Sequence, residues 1–93
     1  MNLERVEWRD AFFDFDVKSV DDLRDEYLVE TCGWVIDEDE TWLHLAQEVL
    51  PDGEGFRGVT HLPQVIIQHR WLLITAKVEN DDKAFSPVQT QKV

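Results

Sequence analysis

The chain has 93 residues, a formal net charge of −11, 43% hydrophobic residues, four Trp, five Phe and a single Cys. A chain this short is one domain with a modest core, its aromatic content argues against disorder, and one cysteine excludes an internal disulfide or a cysteine-rich metal site. Residues 1–40 hold 14 Asp/Glu against 4 Lys/Arg, and residues 41–93 hold 6 against 5, so no basic stripe exists to replace the counterions of nucleic acid.

The first residues, MNLERVEW, lack the apolar core of a signal peptide, and the longest apolar block, Trp71 to Ile74, is far below membrane-spanning length. A cytoplasmic protein is expected. Leu3 to Trp8 reads as a first strand, with Val6 and Trp8 on one face. The connection Arg9 to Lys18 sets Phe12, Phe13 and Phe15 among Asp10, Asp14 and Asp16. Three phenylalanines rarely stay in water, so they are expected to fold over an open end of the core; a protein-binding loop is the alternative. Ser19-Val20-Asp21-Asp22 has the spacing of an N-cap, which predicts a short helical turn over 20–25.

A second strand, Tyr27 to Ile36, and a third, Thr41 to Val49, flank the acidic turn Asp37 to Glu40; helix is the competing reading of 41–49, since Trp42, Leu45, Ala46 and Val49 sit at helical spacing. The turn has no Gly, which favours a longer loop built on a type I turn. Centring it between Glu38 and Asp39 sets Ile36 opposite Thr41, Trp34 opposite Leu43 and Cys32 opposite Leu45. That register sends Leu28, Cys32, Trp34, Ile36, Leu43, Leu45 and Val49 to the core, with Cys32 as a buried thiol. Val29, Val35, Trp42 and Ala46 then face outward as an apolar strip, with Gly33 opposite His44. Such a strip on an acidic monomer marks an interface, so a homo-oligomer is expected.

Pro51 to Gly55 is a loop, Phe56 to Leu62 a fourth strand, Pro63-Gln64-Val65 a tight turn, and Ile66 to Thr75 a fifth strand. Five short strands with a Pro-initiated turn before the last predict a mainly β fold, a small SH3-like or Sm-like barrel over residues 1–78. Residues 79–93 are polar and without strand alternation, and are expected to form a mobile tail.

Trp8-x-Asp10, Thr31-x-Gly33-Trp34-Val35-Ile36, Asp39-Glu40, Leu43-x-Leu45-Ala46-x-Glu48 and Leu62-Pro63-x-x-x-Ile67 with Leu73, in that order, resemble the pattern of an uncharacterised family of small proteins encoded by bacteriophages and prophages. The resemblance runs from Trp8 to Leu73. It implies a phage accessory protein in a bacterial host cytoplasm, and it supplies no catalytic residue.

Catalytic motifs are absent, and no enzyme is expected. Gly53-x-Gly55-x-x-Gly58 joins two strands rather than a strand and a helix, unlike a dinucleotide site. Neither a metal nor another cofactor is expected, because the acidic turn lacks calcium-loop spacing and the three histidines lack zinc spacing. His44 and His61 approach each other if the third and fourth strands are neighbours. Binding is better supported. Arg57, Arg70, Trp71, His44 and His61 are the candidate ligand residues, a set able to stack a base and pair a phosphate. Three functions follow as expectations. The first is an oligomer that counters a host defence system by sequestering a small anionic, nucleotide-derived signal. The second is an acidic protein that blocks a nucleic-acid-binding host protein. The third is a structural barrel with no ligand.

Overall fold

The computed structural model describes residues 1–77 and 86–90. The fold is mainly β. Six strands, β1 (Asn2–Arg9), β2 (Leu28–Glu38), β3 (Trp42–Val49), β4 (Phe56–Pro63), β5 (Ile67–Lys77) and β6 (Ser86–Thr90), form one antiparallel sheet in the order β4-β3-β2-β1-β5-β6. Among the described residues the only helical elements are 3-10 turns, at Val20–Asp22, Pro51–Gly53 and Gln64–Ile66. The first of these is capped as its sequence predicts, with Ser19 Oγ accepting from Asp21 N–H at 3.2 Å.

The strand order forces curvature. From β4 to β5 there are four inter-strand spacings, roughly 19 Å in a flat sheet. The chain makes that step through the 3-10 turn Gln64–Ile66, whose three residues rise only about 6 Å. The sheet therefore curls until the ends of β4 and β5 come near each other. Gln64 fastens the crossing to the β2–β3 turn: its N–H donates to Thr41 O at 2.8 Å, and its amide donates to Asp39 O and Trp42 O. Val6, Leu43, Leu45 and Leu62 are buried together inside the curl, with Trp8, Val35, Ile66 and Ile67 packed against them.

The β2–β3 register differs from the one expected. Glu38 pairs with Leu43 and Asp37 with His44, then a bulge at Ile36 shifts the ladder so that Val35 pairs with Leu45 and Trp34 with Ala46. Asp39 sets the turn: its Oδ1 accepts from Thr41 N–H and Trp42 N–H at 2.8 Å each, which starts β3 later than a turn centred on Glu38 and Asp39 allows. Beyond the bulge the slip is an odd number of residues, and an odd slip exchanges the faces of a strand. Leu43 and Leu45 do reach the core. On β2, however, Val35 packs on the core while Cys32 is exposed, the reverse of expectation. Gly33 is buried beneath Leu45, and a Cβ there would lie 2.9 Å from Leu45 Cβ.

A sixth strand lies at the edge of the sheet. Ser86–Thr90 pair along β5, Ile74 with Thr90 and Ala76 with Pro87, within the stretch expected to be a tail. Pro87 is compatible because β6 is the edge of the sheet, where a missing N–H costs no ladder bond. Residues 79–85 and 91–93 of the expected tail lie outside the described residues.

Candidate functional site

The five candidate ligand residues do not converge. Arg57 sits opposite Glu48 in the β3–β4 ladder and pairs with it, Nε to Oε1 at 3.1 Å, both side chains exposed. Arg70 and Trp71 are neighbours on β5 and so point to opposite faces. Arg70 turns to the inner side, where it makes two hydrogen bonds to Glu4 at 2.7 and 3.0 Å and one to Glu38 at 2.7 Å. These bonds, those to Glu4 foremost, hold its pKa above the ordinary arginine value against the opposing effect of partial burial. Trp71 lies on the outer face, stacked on His69 and covered by the Arg5 guanidinium 3.9 Å from its ring centroid. Arg5 in turn meets Glu30 at 3.4 Å.

His44 and His61 do meet. They are register partners on β3 and β4, and their Nδ1 atoms are 2.7 Å apart. One ring donates and the other accepts, so the contact holds one proton between them. Trp42 stacks on His44. Among the described residues, no group of three or more His, Cys, Asp or Glu is arranged to hold a metal.

The outward strip is divided. Val35 faces the core, Ala46 is fully buried, Val29 is half-buried opposite Trp8, and only Trp42 of the four is exposed. Val35 pairs with Leu45, where the expected register would have set it opposite Trp42, because the later turn and the bulge at Ile36 together move the ladder.

The β1–β2 connection is the most distinctive surface. Its neck is closed by a hydrogen bond from Asp10 N–H to Tyr27 O at 2.8 Å and by the Arg9–Glu26 pair at 3.3 Å. Above the neck, Phe12 packs against Tyr27 with ring centroids 5.6 Å apart, and the Arg24 guanidinium lies over both rings. Phe13 and Phe15 then leave the protein. They are 83% and 89% exposed and contact each other edge to face. Val20 and Leu23 are exposed as well. The expectation that Phe12, Phe13 and Phe15 cover the core is thus corrected: Ile66 and Ile67 pack there instead. Asp14 and Asp16 flank the exposed rings in sequence, so burying the phenylalanines would bring carboxylates towards apolar surroundings at a desolvation cost.

No protein-family model, curated protein or solved structure matches the chain. Among the described residues no helix is long and apolar enough to cross a membrane.

Proposed function

We propose that this protein is a non-enzymatic binding module that engages a basic partner protein and obstructs a surface which that partner uses for nucleic acid. In the setting implied by the sequence resemblance, it is a phage protein acting on a host factor. One observation carries the reading: the arginines are already engaged. Arg5 meets Glu30, Arg9 meets Glu26, Arg57 meets Glu48, Arg70 meets Glu4 and Glu38, and Arg24 lies over Phe12 and Tyr27. A phosphate would have to displace a carboxylate at four of these five side chains. The surplus of 20 Asp/Glu over 9 Lys/Arg leaves many carboxylates uncompensated, concentrated in residues 1–40. Such a field attracts a basic partner and accelerates its association. Sequestration of a nucleotide-derived signal is less well supported, because it needs Arg57, Arg70 and Trp71 around one ligand.

The test is displacement. Proteins of a bacterial extract are loaded on a DNA column and eluted with this protein or with an unfolded acidic peptide of equal charge. Selective release by the folded protein, weakened by salt, is expected. Equal release by the peptide refutes the proposal, as does calorimetric binding of a nucleotide at micromolar concentration with no protein released.

A further inference from the structure

We infer that the β1–β2 connection is the docking element, with Phe13 and Phe15 as its apolar knob, and that its occupant is a basic protein surface bearing an apolar cleft. The inference rests on the partner-binding reading above and adds the place and the chemistry of the contact.

The first support is exposure. Phe13, Phe15 and Val20 are each more than 80% exposed. Single exposed apolar residues need no explanation, but these belong to one connection, and the two phenylalanine rings touch. Aromatic side chains are the common anchors of protein interfaces, since few torsions are lost when a large area is buried. A second support is the anchorage. The closed neck, the Phe12–Tyr27–Arg24 stack and the Ser19 cap hold the base of the connection and its 3-10 turn. Ordering it on binding therefore costs less than ordering a free chain.

Charge selects the occupant. Residues 10–26 hold seven Asp/Glu against Lys18 and Arg24. Every phenylalanine of the knob is adjacent to an aspartate, Asp14 or Asp16. A second copy of this chain would bring an identical acidic loop against the first, and an anionic membrane surface repels it in the same way. A basic surface satisfies the carboxylates, and an apolar cleft in it takes the rings.

The experiment uses the full chain and two defined probes: a lysine–leucine amphipathic helical peptide, basic with an apolar face, and polylysine, basic without one. The wild type is expected to bind the amphipathic peptide more tightly than polylysine, with backbone amide NMR shifts concentrated at residues 12–23. Phe13→Ser/Phe15→Ser keeps the charge and should weaken peptide binding at least about tenfold, leaving polylysine binding and the melting temperature unchanged. Unweakened peptide binding by the variant overturns the docking assignment while leaving the partner-binding reading standing. Failure of the wild type to bind either cationic probe overturns both. Flotation of the wild type, but not the variant, with zwitterionic phosphatidylcholine vesicles makes the occupant a membrane and overturns the inference.

Discussion

The guanidinium of Arg70 lies 2.7 Å from the carboxylate of Glu38 across the inside of the curled sheet. Register makes the contact surprising. Arg70 is level with Val6 on β1, and Val6 with Thr31 on β2. Glu38 stands seven residues beyond Thr31, roughly 23 Å away along a flat strand. Only a sheet folded over itself brings the two together. Arg70 joins the end of β2 to β5, with Glu4 of β1 as the buried third member.

Removing Arg70 leaves the Glu4 carboxylate buried without its cation. Arg70→Met is therefore expected to destabilise the protein by about 3 kcal/mol in urea unfolding. Glu38→Gln should cost less than about 1 kcal/mol, because Glu38 is the more exposed partner. Equal losses for the two variants would mean that the curl, not the buried charge, sets the cost.

Gly33 is under Leu45 with no room for a methyl group. An added Cβ would meet Leu45 Cβ at 2.9 Å and Ala46 O at 3.2 Å. Gly33→Ala should lose about 2 kcal/mol to overpacking. An unchanged midpoint would place β2 in another register.

Cys32 is exposed. It should react stoichiometrically with a thiol reagent in the absence of denaturant. Reaction only after unfolding would restore the core position that a turn centred on Glu38 and Asp39 assigns to it.

Asp39 links stability to acid pH. Hydrogen bonds from the Trp42 and Thr41 amides lower its pKa below the ordinary 3.8, and His44 nearby acts in the same direction. A folded-state pKa below the unfolded value gives stability that is present above 3.8 and is lost as pH falls through the folded value. Asp39→Asn keeps an oxygen acceptor and removes the titration. Its melting temperature should fall less steeply than that of the wild type below pH 3.8. Parallel curves would refute the assignment.

His44 and His61 should show opposite tautomers. With Nδ1 atoms 2.7 Å apart, one nitrogen carries the hydrogen and the other accepts it. Nitrogen-15 spectra at neutral pH are expected to resolve one protonated and one bare Nδ1. Two rings both protonated only at Nε2 would exclude the contact.

What the sequence made legible follows from locality. Strand alternation, the Ser19 cap and the proline that ends β4 are short-range signals, and they place the five strands of residues 1–77 close to where they lie. The meeting of His44 and His61 was legible too, because it depends only on β3 and β4 being neighbours. The β2–β3 register was not. It is set by the Asp39 side chain and by a bulge at Ile36, and neither leaves a mark in hydrophobic alternation. The partners of Arg70 were equally hidden, since Glu4 reaches it through the pairing of β1 with β5 and Glu38 only through the curl. For Phe12, Phe13 and Phe15 the sequence posed two alternatives, core cover or binding loop; the exposure of Phe13 and Phe15 and the place of Ile66 and Ile67 against the core exclude the first.

The closed neck of the β1–β2 connection separates two tasks. Between the Asp10 N–H and the Tyr27 carbonyl that receives it, the chain leaves the sheet and returns without contributing a residue to the cluster of Val6, Leu43, Leu45 and Leu62. Loop length enters stability only logarithmically, about 0.6 kcal/mol per doubling. The segment behaves as a cartridge: it can be exchanged for another of different length and chemistry while the strands beneath keep their pairing. Selection can therefore rewrite what the molecule grips without renegotiating how it folds.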